Sequence, residues 1–168
     1  MKQIILIIGI AALSACAKPE FKEEFESDKP WIEQLTQVPA YPNTTDLIPF
    51  HITNSSNQHF VDTTSIRVGQ DGVIRFSLVV KSSAGAANVS YEGIRCATSE
   101  RKLYAIGRDD KTWAQPRAAE WQKLDYVRQF YAQRELARNI FCPQQQIVSN
   151  PEEAIQALKA GVNPRVLR

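Results

Sequence analysis

Histidine is scarce in this chain, with two residues among 168, and there are only three cysteines. That leaves little raw material for a metal cluster, and the cysteines form no CxxC pair. Charge of one sign is lacking as well: 20 Lys and Arg against 18 Asp and Glu give a net charge of +2. Such a balance produces no field that would imply a nucleic-acid partner. Apolar length is also short. The run Ile4 to Leu13 has ten residues, about 15 Å as a helix, half of a hydrocarbon core of about 30 Å. A polytopic membrane protein is excluded. No GxSxG elbow, Walker loop or HExxH pair is present, and neither repeats nor low-complexity segments occur. What remains, 43% hydrophobic and 23% charged, fits one globular domain.

The N-terminus reads as an address. Lys2 supplies a positive start, Ile4 to Leu13 the apolar stretch, and Leu13-Ser14-Ala15-Cys16 follows. Small residues at 14 and 15 admit a peptidase, and the segment resembles a bacterial lipobox. Residues 1–15 are then a lipoprotein signal peptide, and Cys16 takes the diacylglycerol and becomes the acylated N-terminus. Several acyl chains, palmitate among them, make such anchoring stable. The alternative is an ordinary secretory signal cut after Ala15. Ala17, where Asp would resemble an inner-membrane retention signal, favours the outer membrane, with the domain facing the periplasm. The expected organisation is a tether over 16–30 and a single domain over 31–168.

With Cys16 lipidated, Cys96 and Cys142 remain as an even pair in an oxidising compartment, which predicts a disulfide. The alternative is two buried free thiols. Residues 31–49 carry Pro39, Pro42 and Pro49 and are expected to be extended, at most an edge strand. Strand signals then dominate, at 60–62, 65–68 and 74–81 and again at 88–96 and 102–108. Asp71-Gly72, Ser82 to Ala86 and Asp109-Asp110-Lys111 provide the turns, and Gly93 is a candidate bulge. Trp113 and Trp121 to Leu124 extend the meander. The period changes over Tyr126 to Phe141, where Val127, Phe130, Tyr131, Ala137, Ile140 and Phe141 recur at helical spacing and Pro143 stops the run. Asn150 as N-cap, Pro151 at N1, Glu153 at N3 and Gly161 beyond the end mark a second helix. The expected fold is α+β: one antiparallel meander sheet, a C-terminal helix packed on one face and tethered by the disulfide, and the other face wet.

Several runs carry a family resemblance. Phe60-Val61-Asp62, Ser65 to Gly69, Asp71 to Phe76 and Asn88 to Thr98 resemble the cryptic neisserial protein 1-like family. The same holds for Tyr104, Gly107-Arg108, Trp113, Trp121 and Phe141-Cys142-Pro143, and for Pro39 to Pro42 and Leu47 to Phe50. The resemblance covers nearly all of the chain beyond Cys16. It implies an exported lipoprotein with no assigned activity, so no catalytic residue is carried over. A more distant similarity, through the FVD-x-x-S pattern and the later cysteine and helix, is to the surface-adhesin protein E family. There a disulfide ties an antiparallel sheet to its helix.

Candidate contact residues are Tyr91, Glu92, Arg95, Trp113 and Trp121. Glu92 and Arg95 either face a ligand or form an ion pair across strands. Arg95, Arg101, Lys102, Arg108 and Lys111 cluster around one hairpin, where a wet face would suit lipopolysaccharide phosphates or peptidoglycan carboxylates. Trp31, Trp113 and Trp121 are anchors for a glycan or protein if exposed, and core if not. His51 and His59 read as packed or solvated. No catalytic residue, metal or cofactor is expected. The expected function is a non-enzymatic interaction module of the cell envelope, held to the membrane through Cys16, with an envelope protein or glycan as partner. The alternative is a surface adhesin binding host or extracellular proteins.

Overall fold

Three hairpin turns of one design set the meander. At the first, Gly69 N–H donates to Val73 C=O (2.9 Å) and Gly72 N–H to Gly69 C=O (3.1 Å), with Gly72 at φ +74°. Ser82 to Ala86 repeats this with Gly85 at φ +88°, and Arg108 to Thr112 repeats it with Lys111 at φ +62°. A turn closed by one left-handed residue matches the strand twist, and glycine takes that conformation without steric penalty. The third turn places a lysine there.

The computed structural model describes residues 30–167 apart from positions 54, 126 and 127. The expected signal segment, Cys16 and the expected tether through residue 29 lie outside the described residues. The compact unit spans Ile32–Arg168. Its sheet consists of β1 (Leu47–Phe50), β2 (Gln58–Val68), β3 (Val73–Lys81), β4 (Ala87–Arg95), β5 (Glu100–Gly107), β6 (Trp113–Ala114) and β7 (Gln122–Lys123). The strands run in sequence order from β1 to β6, antiparallel throughout, and β7 pairs with the other end of β5. β1, with Pro49, is an edge strand, as its proline requires.

β2 merges the two short strands read at 60–62 and 65–68. Asp62 pairs with Ser77 and Arg67 with Arg75, so residues 63–66 bulge opposite Phe76 alone. Asp62 Oδ1 accepts from Thr64 N–H (2.9 Å) and Thr64 Oγ1 (2.8 Å), which closes the bulge locally. The bulge expected at Gly93 is one strand over: Tyr91 faces Ala105 and Glu92 faces Leu103, leaving Tyr104 as the extra residue in β5. Gly93 is needed beneath it, because a Cβ there would come within 2.8 Å of the Tyr104 ring and 3.0 Å of Val73.

Two helices cover one sheet face. Helix α1 (Tyr131–Glu135) follows a 3-10 turn at Arg128–Phe130 and runs into a π-helical turn, Leu136–Phe141. The helix read over 126–141 is thus a composite of three geometries. The wide turn leaves Asn139 C=O to accept Asn163 N–H (2.7 Å), while Asn163 Nδ2 reaches Ile140 C=O (3.3 Å). Helix α2 (Pro151–Ala160) is built as its signals require. Asn150 Oδ1 accepts Glu153 N–H (2.8 Å), Glu153 accepts Ser149 N–H (2.8 Å), and Gly161 ends it at φ +75°. α2 lies against β1 and β2. Val61, Ile66, Ile74, Phe76, Leu78 and Ile94 from the sheet meet Leu136, Ile140, Phe141, Ala154 and Leu158 in one core. Cys96, just past β4, is bonded to Cys142, just past the π turn, with Cα atoms 5.3 Å apart. Closing a loop of 46 residues contributes about 4 kcal/mol in the chain-entropy account.

The other face, expected to be wet, is roofed by residues 33–41. Glu33 accepts from Lys102 Nζ (2.8 Å), Tyr104 Oη (2.8 Å) and Trp121 Nε1 (3.1 Å). Gln34 N–H donates to Asp71 (2.9 Å), Thr36 Oγ1 accepts from Arg75 Nε (2.7 Å), and Pro39 C=O accepts from Trp113 Nε1 (2.9 Å). Tyr41 packs on Trp113 at 5.2 Å. The prolines keep this strap extended, and side chains from the sheet supply the partners that a ladder would otherwise give it. Its outward residues, Ile32, Leu35 and Val38, are exposed.

Candidate functional site

Glu92 and Arg95 are three apart in one strand, so they point to opposite faces. The cross-strand ion pair exists, but Glu92 makes it with Arg101 Nη1 (3.1 Å), its diagonal neighbour on β5. Glu92 lies on the helix side and is buried, accepting also from Ser90 Oγ (2.6 Å) and from Gln133 Nε2 of α1 (2.9 and 3.1 Å). Each carboxylate oxygen therefore has at least two donors, which offsets the burial of its charge. Arg95, on the opposite face, stands across from Glu100, whose pKa is lowered first by the hydrogen bond from Thr98, then by Lys123 and least by Arg95, against the effect of burial.

Tyr91, Trp113 and Trp121 all lie on the strap face. Tyr91 is fully buried beside Tyr104 (5.8 Å) and Trp113 (6.5 Å). Trp113 and Trp121 are half-buried and hold the strap by their indole N–H groups. The two indoles bind a segment of their own chain and Tyr91 is buried beside Trp113, so the three present no open platform. Burial raises the pKa of Tyr91, and burial together with the neighbouring Glu33 raises that of Tyr104, so both remain neutral phenols. Burial works against the Glu33 charge, but bonds from Lys102, Tyr104 and Trp121 outweigh it and lower its pKa.

The expected basic patch is split between the faces. Arg101 points to the helix side and Lys102 to the strap side, as alternation demands, each with its own carboxylate. Of the histidines, His59 is buried against Phe50 (5.6 Å), and burial lowers its pKa; His51 is exposed.

Where the sheet is incomplete, a cleft opens. β6 pairs with Ile106 and Gly107 and β7 with Glu100 and Arg101, so between them the edge of β5 has no strand partner among the described residues. Residues 115–118, the helix side of β5 and the first turns of the helical segment enclose about 580 Å³ there. Arg101 and Gln133 belong to its lining, with Leu103, Ile106, Pro116 and Phe130 as apolar walls. The Arg101 guanidinium stacks on Phe130 at 4.3 Å and reaches Gln122 Oε1 (3.3 Å). Among the described residues, three buried side-chain polar atoms have no hydrogen-bond partner: Ser77 Oγ, Arg101 Nε and Gln133 Oε1. Two of the three belong to side chains lining this cleft. A second cleft of about 680 Å³ lies over the disulfide, beside Leu124, Ala137 and Val166, and none of the three atoms belongs to it.

Sequence reasoning reached Glu92 and Arg101 but missed Gln133, Phe130 as a wall, and Glu33. For Gln133 a signal existed: it stands three residues from both Phe130 and Leu136 on the apolar stripe, where a polar side chain needs a buried partner. Glu33 carried none, because its partners are 69 to 88 residues away.

Comparison with known proteins gives one positive finding. The CNP1-like family matches residues 26–159, which takes in the strap, the whole sheet, the disulfide and nearly all of α2. No curated protein and no solved structure matches the chain, so the likeness to the surface-adhesin protein E family rests on its short pattern alone. The resemblance read from the FVD, NVSYEGIRC and FCP runs is thereby established: the chain belongs to the CNP1-like family.

Proposed function

We propose that this protein is a lipoprotein of the outer membrane, anchored through acyl chains on Cys16, and that its domain acts in the periplasm as a non-catalytic interaction module. The disulfide between Cys96 and Cys142 carries this reading, since such a bond forms and persists where thiols are oxidised. The Leu13-Ser14-Ala15-Cys16 box supports the anchor. The contact site in this reading is the cleft beside β5. It offers two arginines and four glutamines among apolar walls, whereas the opposite sheet face is occupied by the strap.

Radiolabelled palmitate followed on the natural chain and on Cys16→Ala, with proteinase applied to intact and to permeabilised cells, tests the proposal. Label that disappears with the cysteine, and a domain protected until permeabilisation, are the expected results. Label retained without Cys16 overturns the anchor. Degradation in intact cells overturns the periplasmic location and makes adhesion the working hypothesis.

A further inference from the structure

We infer that the outer edge of the strap is a membrane-docking surface, on which Ile32, Leu35 and Val38 rest against the lipid leaflet that holds the acyl chains of Cys16. The inference rests on the lipoprotein reading and adds to it how the domain is oriented.

Residues 30–43 form neither helix nor strand, yet over 32–39 their exposure repeats every third residue. Glu33, Thr36 and Pro39 are half-buried and accept from Lys102, Arg75 and Trp113. Gln34 and Gln37 are exposed and polar. Ile32, Leu35 and Val38 are 79%, 103% and 42% exposed. Three residues per turn is the period of an extended left-handed chain rising about 3.1 Å per residue, so the stripe is about 19 Å long. It ends at Tyr41, the next position in the series, which turns inward onto Trp113. The bonds to the sheet thus fix which edge of the strap faces out, and that edge carries the apolar set.

Two observations name the occupant. Residues 17–31 separate Ile32 from Cys16, a reach of about 55 Å at full extension. An acylated Cys16 therefore keeps the stripe beside one leaflet, and tethering raises the effective concentration of lipid around weak apolar contacts. The strap also presents no charge for a headgroup layer to desolvate. From Gln34 to Thr45 no residue is charged, and the Glu33 carboxylate is turned inward to three donors. Docked in this way, the domain turns its helix side, with the cleft beside β5, away from the membrane and toward soluble partners.

The test uses the mature chain of the lipoprotein reading, beginning at Cys16, with Cys96 and Cys142 paired and the Cys16 thiol coupled to a maleimide phospholipid. Ile, Leu and Val methyl groups are labelled for NMR. The protein is held on nanodiscs of phosphatidylethanolamine and phosphatidylglycerol that include lipids with a nitroxide on the acyl chain. The expected result is loss of the Ile32, Leu35 and Val38 methyl signals, while those of Ile106 and Leu167, exposed on other elements, persist. Leu35→Gln, at a fully exposed position, should leave the fold unchanged and lower the docking equilibrium about tenfold, the worth of one apolar side chain. Raised salt should leave docking in place, because the stripe is uncharged. Equal broadening at all five residues overturns the inference, as does broadening that salt abolishes or that Leu35→Gln leaves untouched. Concentration-dependent shifts at 32, 35 and 38 without lipid would give the stripe to a second copy of the chain and overturn it as well. Chemical coupling makes the result independent of acylation in cells. Palmitate that never reaches Cys16 defeats the lipoprotein reading, whereas a stripe that ignores the bilayer defeats this inference alone.

Discussion

Ser65 and Asp62 close the bulge of β2 between them. Ser65 Oγ donates to Asp62 C=O at 2.7 Å, and the same oxygen accepts the N–H of Ser77 on β3, also at 2.7 Å. The residues of the FVD-x-x-S pattern are thus explained by geometry. Phe60 and Val61 end the regular ladder, Asp62 turns the chain, and Ser65 replaces the ladder bond that the bulge removes. Ser65→Ala leaves a buried amide unpaired and should lower stability by about 2 kcal/mol. A urea titration showing less than about 0.5 kcal/mol would mean that water reaches Ser77 N–H.

Glu33 holds the strap from one point. In Glu33→Ala the Lys102 ammonium and two aromatic donors lose their acceptor together, and the strap should loosen by about 1–2 kcal/mol while the sheet stays intact. Hydrogen exchange would show faster amides over 32–41 and unchanged ones in β3. Equal protection in both variants would assign the strap to the Trp113 and Arg75 contacts instead.

Lys111 sits at φ +62°, where the two sister turns have glycine. Asp110 Oδ1 keeps its bonds to Thr112 N–H (3.0 Å) and Oγ1 (2.6 Å) whatever follows it. Lys111→Gly should therefore stabilise the fold by up to about 1 kcal/mol, as relief of left-handed strain. Thermal melting reads this as a midpoint a few degrees higher, and a lower midpoint would show that the flexibility gained in the unfolded chain prevails.

Glu153 joins α2 to the C-terminal segment. Burial opposes its charge, but Asn163, Ser149 N–H and Arg165 (Nη2 at 2.7 Å) outweigh it and lower its pKa from 4.5 to about 2. A carboxyl whose folded value lies below its unfolded one contributes in full above about pH 4.5, and the contribution disappears as pH falls toward about 2. Denaturation midpoints should fall across that window, and Glu153→Gln should flatten the fall. An unaltered acid limb in the variant would assign acid sensitivity to other carboxylates.

The disulfide can be tested by reduction. With Cys96 and Cys142 reduced, the 46-residue loop regains its freedom and unfolding should become easier by about 4 kcal/mol. Detachment of the π-helical turn from the sheet would appear as lost protection of Leu136 and Ile140 amides. Protection that survives reduction would place the hold in the core itself.

Local signals determined the elements of this protein. Turn residues, alternation in β3 and the Asn150, Pro151 and Glu153 cap act within a few residues of chain, and reading Cys16 as the lipidation site left Cys96 and Cys142 as the pair. A meander is the arrangement that local turns allow, so the fold class followed from them. Tertiary structure decided what covers each face. The strap fills the wet-looking face because sheet donors from positions 75, 102, 104, 113 and 121 converge on a proline-bearing segment that cannot pair as a ladder. The partner of Glu92 was decided in the same way, since Arg101 and Gln133 come from a neighbouring strand and a helix. Contacts between residues forty to ninety apart leave no periodicity in a sequence, and the cleft exists only because β6 and β7 stop short of each other along β5.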